Sequence, residues 1–364
     1  MRRKQGPPDF VLFVTTLMLI AIGLIMVFSS SSVTASVRYQ DPYYFFKRQV
    51  LWVAIALPVM WVVSKVNYSR LKDLALPALI VAVVCLILVL FTPEVKGSTR
   101  WLGIGILRFS PSEMAKVCLV LFLASSLSRN TERLGSLTKG ILPYVLFIGV
   151  VCLLVMMQPD LGTTFIIGVT ALTMLAIAGA RAMHMSLLGI TGTFLVALAI
   201  VCERYRLQRL LAFLNPWKDP GGSGFQTIQS LYALGSGGLF GVGLGRSRQK
   251  FFYLPEQHTD FIFAILGEEL GFLGTGLVLL LFLLLAWRGF RIALNAPDNF
   301  GALLAAGITT MIVLQAAVNI GVVSGVLPVT GIPLPFISYG GSSLLFILTG
   351  VGLLLNISRY AGNR

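Results

Sequence analysis

The stretch VLFVTTLMLIAIGLIMVFS, residues 11–29, carries no charged residue and is long enough to cross a bilayer as one helix. A hydrocarbon core about 30 Å thick takes roughly 20 apolar residues in a helix, which satisfies its own backbone hydrogen bonds where water is absent. The cations Arg2, Arg3 and Lys4 precede it. Because its apolar part exceeds the roughly 7–15 residues of a cleaved secretory signal, we interpret it as an uncleaved first span.

Stretches of this kind recur along the whole chain. Of its 364 residues 56% are hydrophobic and 12% are charged, whereas charged residues make up about a quarter of an ordinary soluble domain. Further spans are expected near residues 50–65, 74–92, 111–127, 141–157, 162–180, 184–202, 262–287, 302–323 and 337–357. The sequence therefore predicts an all-α polytopic membrane protein, a single ten-span domain over residues 1–364 with a large loop between helices seven and eight.

The distribution of Lys and Arg predicts the orientation of the bundle. An even number of spans puts both termini on one side, and the short loops on that side carry clusters such as Arg129, Arg133 and Lys139. Because cytoplasmic loops carry an excess of Lys and Arg, both termini are expected to be cytoplasmic. The formal charge of +14 is spread over such clusters without one contiguous basic face, which argues against a nucleic-acid partner.

Cysteine, histidine and glycine patterns exclude several kinds of site. No Cys/His cluster suits a zinc ion, and no G-x-x-x-x-G-K-[ST] loop is present to bind the phosphates of ATP. The cysteines lie inside apolar segments, where they are small buried hydrophobes: Cys85, Cys118, Cys152 and Cys202. Any reaction or transport that needs energy is therefore expected to be driven by a gradient or by an activated substrate.

The longest polar interval, residues 203–260, is expected to be an extracytoplasmic loop that forms the roof of an active site over the bundle. Its charged residues are Glu203, Asp219, Glu256 and Asp260, with Arg204, Arg206, Arg209, Lys218, Arg246, Arg248 and Lys250. Cations on the outer side run against the usual charge bias, so we expect them to bind an anionic partner at the outer leaflet.

Two short helices are predicted inside this loop. Residues 205–214 place arginines among leucines at helical spacing, as in an amphipathic helix lying in the membrane interface. Residues 225–234 predict a second helix with Gln226 and Gln229 on one side. These helices give the loop internal structure over the bundle.

A glycine-rich segment, GSGGLFGVGLGRSRQK at residues 235–250, follows these helices and ends in Arg246, Arg248 and Lys250. Glycine backbone can approach a ligand closely. Together with the cations, this pattern favours a nest of N–H groups that clamps phosphate oxygens. Flexible filler is the alternative.

The loop ends in FFYLPEQHTDF, residues 251–261, which brings Asp260 to the outer end of the eighth span. We expect Asp260 to be the working carboxylate. The alternative is that Thr259 or Asp260 merely caps the following helix. Glu268 and Glu269 lie further into the span, where an unpaired charge costs roughly 2.5–3.5 kcal/mol, so at least one is expected to have a partner.

Charged residues near the fourth span form a second group. In residues 97–117, Arg100 and Trp101 are predicted to lie in an outer loop, and Glu113 and Lys116 share one face of a helix. Because buried charges are costly in a membrane, the pair is expected to face the bundle interior. It either lines a site or acts as a structural pin.

Two further outer segments are expected to border the same cavity. Asp160 is the only charge in the short turn QPDLGTT, residues 158–164, and either lines the site or stabilises the turn. The uncharged segment SGVLPVTGIPLPFISYGGSS, residues 324–343, is rich in Pro and Gly. Such backbone must pack inside protein or line a cavity, so we expect it to form an apolar wall beneath the basic loop.

These motifs together resemble one protein family. PSEMAK at 111–116, QPDLGTT at 158–164, PVTGIPLPFISYGGSSL at 328–344 and the whole of residues 215–272 are similar to the SEDS family (shape, elongation, division and sporulation) of bacteria. The resemblance runs from the first span to the last. Within it the loop is most like the FtsW and SpoVE branch, to which RodA is related.

The resemblance implies a glycosyltransferase that polymerises lipid II into peptidoglycan glycan strands and works with a class B penicillin-binding protein. It implies that Asp260 is catalytic and that Trp101, Glu113, Lys116 and Asp160 line or support the cavity. The predicted substrate-binding residues are Arg100, Trp101, Glu113, Lys116, Asp160, Gln226, Gln229, Arg246, Arg248, Lys250 and His258.

The chemistry of that reaction agrees with one carboxylate and several cations. An α-linked diphosphate donor gives a β-1,4 linkage by a single inverting displacement, for which Asp260 would be the base on the acceptor hydroxyl. The leaving diphosphate would be neutralised by Arg246, Arg248, Lys250 or a divalent cation such as Mg²⁺ or Mn²⁺, not held by a protein-built cluster. A lipid II flippase and a scaffold for an extracytoplasmic enzyme are the alternative functions.

Overall fold

The structure is a computed structural model and describes residues 6–93, 99–104 and 107–361. The predicted basic flank Arg2, Arg3 and Lys4 lies outside the described residues. The long helices are α1 (Phe10–Tyr39), α2 (Tyr44–Lys65), α3 (Leu71–Val89), α4 (Pro111–Arg129), α5 (Leu142–Met156), α6 (Leu161–Ile177), α7 (Ala182–Val201), α8 (Arg204–Leu214), α9 (Phe225–Ser236), α10 (Ile262–Leu294), α11 (Asn299–Val323) and α12 (Gly341–Ala361). Short helical turns occupy Tyr68–Arg70, Thr131–Gly135, Leu137–Ile141 and Pro216–Lys218.

The predicted all-α membrane architecture is confirmed. In the described part of the chain, nine helices are long and apolar enough to cross a membrane, and α6 is a shorter apolar helix of 17 residues. Each predicted span coincides with one of the helices α1–α7 or α10–α12. The count of ten crossings stays a prediction because of the length of α6.

The polar segments between the spans contain more structure than the apolar pattern alone indicates. Helices α8 and α9 confirm the two short helices predicted in the long loop. An antiparallel hairpin of β1 (Leu102–Ile104) and β2 (Leu107–Phe109), which was not predicted, precedes α4 and pairs Gly103 with Arg108. This hairpin connects the segment of Arg100 and Trp101 to the start of α4.

The first and last described residues lie at the same end of the bundle. The amide of Gly6 donates to the carbonyl of Arg359 (2.8 Å), and the amide of Asp9 donates to Ser358 Oγ (2.9 Å). The carboxylate of Asp9 also pairs with Arg288 near the end of α10. Asp260, just before the start of α10, therefore lies at the opposite end of the bundle from the termini.

The core of the bundle is built around α4, α11 and α12. About three quarters of the most apolar window of each is buried, 78% for α4 and 72% for α11 and α12, against 6% for α7. Helix α11 packs against α4, α6 and α10, and α12 packs along α2. The central helices thus form the buried core, while α7 lies at the periphery.

Helix α10 is interrupted at Gly271, whose φ of 66° and ψ of −162° are not helical. An interruption inside a membrane leaves amides and carbonyls that must be paired within the protein. The glycine-rich segment supplies the partners. The hydrogen bonds are Val242 N to Glu268 O (3.0 Å), Gly243 N to Glu269 O (3.1 Å), Phe272 N to Gly238 O (2.9 Å) and Leu273 N to Leu239 O (3.1 Å).

Close packing against α10 explains why this segment contains so many glycines. A Cβ on Gly237 would lie 2.0 Å from the carbonyl oxygen of Gly267, and a Cβ on Gly241 would lie 2.2 Å from that of Glu269. Gly241 also has a φ of +79°, a conformation that L side chains rarely adopt. The segment is therefore a fitted part of the fold, and the interpretation as flexible filler is wrong.

The uncharged last loop packs inside the protein, as expected. Ile332, Leu334 and Ile337 in it are at most 4% exposed. Its later residues bond the end of the long loop and α2: Ser338 Oγ to Thr259 O (2.6 Å), Tyr339 N to His258 O (2.9 Å), Gln49 Nε2 to Ser338 O (3.4 Å) and Gly340 N to Gln49 Oε1 (3.3 Å). The loop thus supports the segment that carries Asp260.

Substitution of two glycines in the segment tests this packing. Gly241→Ala is expected to cost about 2–5 kcal/mol of folding stability, because it combines left-handed backbone strain with a clash. Gly245→Ala is the matched control, since Gly245 has a similar φ of +77° but open space around its Cβ position. Its cost should be only the strain of about 1–2 kcal/mol. Melting temperatures in detergent would measure both, and an equal drop would show that the close approach does not matter.

Candidate active site

Asp260 stands directly before α10 and is half-buried. The N-cap residue of α10 is Phe261, and no side chain caps that helix. The interpretation of Asp260 as a helix cap is therefore wrong. Among the residues that the structure describes, none donates a hydrogen bond to its carboxylate, whereas its backbone carbonyl accepts from Asn319 Nδ2 (2.8 Å).

The surroundings of Asp260 favour its protonated form. Burial raises the pKa of its carboxyl group from 3.8 to about 7, and the nearby carboxylates of Glu256 and Asp160 raise that pKa as well. The guanidinium groups of Arg100 and Arg209 oppose this effect. Near neutral pH both protonation states are populated, which suits a group that accepts a proton during a reaction.

Asp160 is both a helix cap and one half of an ion pair. Its carboxylate accepts from Thr163 N (3.0 Å) and Thr163 Oγ1 (2.9 Å) at the start of α6, so the turn-stabilising interpretation is confirmed. Arg100 Nη1 lies 3.4 Å from Asp160 Oδ2. The same guanidinium donates to the carbonyls of Gln158 (3.2 Å) and Pro159 (2.6 Å), which ties the loop before α4 to the site.

Glu113 and Lys116 form a buried ion pair of 2.9 Å, with 7% and 3% of the two residues exposed. Glu113 also accepts a hydrogen bond from Ser343 Oγ (3.0 Å) at the start of α12. Lys116 Nζ donates to Gln315 Oε1 (2.6 Å), and Gln315 Nε2 donates to the carbonyl of Pro333 (3.0 Å). The pair therefore faces the bundle interior, as predicted, and supports the last loop through Gln315.

Asn319 extends this network to Asp260. It lies one turn after Gln315 on α11 and is 1% exposed. Its Nδ2 donates to the carbonyls of Asp260 (2.8 Å) and Ile332 (2.7 Å). The sequence analysis missed both amides, although two amide side chains four residues apart in an apolar span were a usable signal of one polar helix face.

The predicted anion nest exists, but it binds a carboxylate of the protein itself. The amides of Arg248 (2.8 Å) and Gln249 (3.4 Å) donate to Glu268, and Ser247 Oγ donates to the same carboxylate. Glu268 is only 2% exposed. The interpretation of this backbone as a phosphate nest is therefore wrong, because Glu268 already occupies it.

Lys250 is part of the same internal network. Its ammonium lies 3.2 Å from Glu269 Oε1, and both side chains are at most 4% exposed. Ser29 Oγ donates to the other oxygen of Glu269 (2.6 Å), which confirms that this carboxylate has partners in the bundle. The structure does not support Lys250 as a substrate ligand, since its charge is buried and paired. Arg246 and Arg248, by contrast, are exposed.

Among the described residues, the remaining predicted ligands form no hydrogen bond with the carboxylate of Asp260. Trp101 is 41% exposed. Gln226 and Gln229 are half-buried on α9, and in the described part of the chain no hydrogen bond reaches their amides. The ring of His258 packs 4.5 Å from that of Phe45. Arg209 and Glu256 were predicted only as charges of the loop, although Glu256 lies four residues before Asp260 and raises the pKa of its carboxyl group.

Comparisons with known proteins agree on one family. A family model for FtsW, RodA and SpoVE, described as "Cell cycle protein", matches residues 10–363. The chain is 48% identical to "Stage V sporulation protein E" of Bacillus subtilis (strain 168), covering 99% of this chain and 100% of that protein. It is 43% identical to "Probable peptidoglycan glycosyltransferase FtsW" of Geobacter sp. (strain M18), covering 98% of each.

Solved structures share the fold over nearly the whole chain. A chain from the structure described as "Structural coordination of polymerization and crosslinking by a peptidoglycan synthase complex" has a TM-score of 0.79 and 31% identity, covering 98% of this chain and 99% of that one. The crystal structure of the Thermus thermophilus rod shape determining protein RodA has a TM-score of 0.72 and 28% identity, covering 98% of each chain.

A pair of substitutions tests the assignment of Lys250 to the fold. Lys250→Met is expected to destabilise the protein by about 3–5 kcal/mol, because it leaves the buried charge of Glu269 without its cation. Arg248→Gln removes an exposed cation two residues away and should cost no more than about 0.5 kcal/mol. Thermal unfolding in detergent would measure both. Equal stability of the two variants would show that the fold does not depend on the charge of Lys250, and that Lys250 is free to bind a ligand.

Proposed function

The chain belongs to the FtsW, RodA and SpoVE family, and from that premise we propose how its reaction proceeds. It is a multi-pass membrane protein and a peptidoglycan glycosyltransferase. In our proposal it joins lipid II units into β-1,4 glycan strands at the outer face of the membrane. The observation that carries this assignment is the carboxylate of Asp260, which accepts no hydrogen bond from the described residues and has a pKa raised to about 7.

Asp260 acts as the general base. As the 4-hydroxyl oxygen of the acceptor sugar attacks the anomeric carbon of the donor, its proton passes to the carboxylate of Asp260. The bond from that carbon to the diphosphate oxygen breaks in the same displacement, and the polyprenyl diphosphate leaves with the bonding electrons. A base whose pKa lies near the working pH is suited to this step.

The cations of the long loop stabilise the charge on the leaving group. Arg209 lies close enough to Asp260 to lower its pKa, and Arg246 and Arg248 are exposed on the segment that follows α9. Guanidinium groups are good ligands for diphosphate oxygens because they donate two parallel hydrogen bonds. Arg100 has a different role, since its guanidinium is already bonded to Asp160 and to two carbonyl groups.

In the proposal, a divalent cation such as Mg²⁺ or Mn²⁺ is bound by the diphosphate of the substrate and not by a metal site of the protein. Within residues 6–93, 99–104 and 107–361, no group of three or more His, Cys, Asp or Glu side chains is placed to hold a metal ion. The residues present therefore do not fit a protein-held metal centre. The ion would arrive with the diphosphate, which itself offers oxygen ligands to hard cations.

Orientation and partner complete the proposal. If the end of the bundle that carries both termini is cytoplasmic, as the cation bias predicts, Asp260 faces the outside, where lipid-linked glycan precursors would be joined. The similarity to a chain of a peptidoglycan synthase complex supports a class B penicillin-binding protein as the partner. That partner would cross-link the strands that this chain polymerises.

Replacement of the proposed base is the direct test. Asp260→Asn is expected to lower polymerisation of lipid II by a factor of about 10²–10⁴, because the amide cannot accept the proton. Asp219→Asn, an exposed acid in the same loop, is the matched control and should retain activity. Gel analysis of labelled glycan strands made by the purified protein with its partner would measure both. Full activity of Asp260→Asn would end the assignment, and lipid II translocation without polymer would favour a flippase.

The pH dependence of the rate provides a second test. The base works in its deprotonated form, so the rate should fall as the pH drops below the pKa of Asp260, about 7. Glu256→Gln removes a negative neighbour and lowers that pKa, which should move the acidic limb of the profile to lower pH. Arg209→Gln removes a positive neighbour and should move the limb to higher pH. If the acidic limb of the pH–rate profile stays in place in both variants, a group other than Asp260 controls the rate at low pH.

A further inference from the structure

Five rings form a continuous group at the outer end of the bundle, which we call the outer aromatic cluster: Tyr39, Tyr44, Phe45, His258 and Tyr339. Tyr39 and Tyr44 are stacked with centroids 3.8 Å apart. Phe45 lies edge-on to both, at 5.6 and 5.2 Å, and also contacts His258 (4.5 Å) and Tyr339 (5.1 Å). The cluster thus connects the tips of α1 and α2 with the long loop and the last loop.

The inner end of the cluster is attached to the segment that carries Asp260. His258 precedes Asp260 by two residues, and its carbonyl accepts the amide of Tyr339 (2.9 Å). Ser338 Oγ donates to the carbonyl of Thr259 (2.6 Å). The cluster is therefore attached, through His258 and Thr259, to the backbone that carries Asp260.

The outer end of the cluster is open to solvent and carries polar groups. Tyr39 is 46% exposed, Tyr44, His258 and Tyr339 are half-buried, and only Phe45 is buried. The guanidinium of Arg48 lies 4.3 Å from the centre of the Tyr44 ring and interacts with the hydroxyl of Tyr339. Among the described residues no carboxylate forms an ion pair with Arg48, so its charge is available to a ligand.

This combination of groups matches an aminosugar polymer with acidic substituents. One face of a pyranose ring presents C–H groups, which pack against an exposed aromatic ring such as that of Tyr39, while its hydroxyl groups bond to polar tips such as those of tyrosine. A guanidinium is a good ligand for carboxylates of the peptides attached to the glycan.

Tyrosines at the ends of membrane helices are also common simply as an interfacial belt. Here the rings converge on the loop residues His258 and Tyr339 beside Asp260, which a lipid-facing belt does not require. The arrangement therefore favours a ligand over an anchor.

We propose that the outer aromatic cluster, together with Arg48, is a saccharide-binding subsite that holds the glycan strand next to Asp260 between successive additions. This inference rests on the proposed function and deepens it. A strand that is held after each addition is extended again, and a strand that is released stops growing. The cluster therefore controls strand length more than it controls the chemical step.

The test compares strand length with rate in variants of the cluster. Tyr39→Ala and Arg48→Gln are expected to shorten the mean strand about fivefold and to lower the initial rate of lipid II consumption much less, because a stacking or charged contact to the strand is lost. Tyr232→Ala is the matched control: Tyr232 is a 52% exposed tyrosine on α9, outside the cluster, and its loss should change neither quantity. Strand length would be read from gels, and the rate from loss of labelled lipid II.

A binding measurement keeps this inference separate from the proposed function. A soluble, lipid-free strand of alternating N-acetylglucosamine and N-acetylmuramyl-peptide should give saturation-transfer NMR signals with the wild-type protein and with Asp260→Asn. These signals should be lost in the double variant Tyr39→Ala/Tyr44→Ala. The subsite would be overturned if the cluster variants leave strand length and binding unchanged, whether or not their melting temperature falls. Binding by a wild-type protein that forms no polymer with its partner and lipid II would contradict the proposed function and leave the subsite standing.

Discussion

Polar groups inside a bilayer must find partners within the protein, because no water is there to replace them. The interrupted helix α10 shows how this chain meets that constraint. The glycine-rich segment pairs the backbone groups around Gly271, while Glu268 and Glu269 accept hydrogen bonds from the backbone and side chains of residues 247–250. The long loop is thereby anchored at one end to α10, and the position of Asp260 at the start of that helix depends on this anchoring.

The same constraint distinguishes Asp260 from the other buried acids. Glu113 is paired with Lys116, Asp160 with Arg100, and Glu269 with Lys250. The carboxylate of Asp260 has no such partner among the described residues, and burial raises its pKa to about 7. An acid that stabilises the fold is usually held by partners, so a half-buried acid without them is available for chemistry.

The sequence predicted most of the spans because a charge-free stretch of about 20 residues in a helical protein is rarely anything but a membrane span. It also predicted Asp260 as the working carboxylate, because that acid ends the long polar loop, and this role stays a prediction. It was wrong about the backbone nest at residues 247–249 and about Lys250, since a glycine-rich, basic segment looks the same whether its anion is a substrate phosphate or the protein's own Glu268 and Glu269. Asn319 and Arg209 were missed because their positions next to Asp260 arise from tertiary packing, which spacing along the chain does not encode. Glu256 lies only four residues before Asp260, and that short separation was a usable signal.

The number of available carboxylates also bears on the type of reaction. A glycosidase needs two acidic groups, because one protonates the leaving sugar and the other either attacks the anomeric carbon or activates the attacking water. A diphosphate leaves without protonation, so one base is sufficient. Around Asp260 the other acids have other partners: Asp160 accepts from Thr163 and pairs with Arg100, and Glu256 accepts from the hydroxyl of Thr259 (3.1 Å). A single carboxylate without a hydrogen-bond donor among the described residues, with Arg100 and Arg209 nearby, therefore fits transfer from a diphosphate-linked donor better than hydrolysis of a glycan.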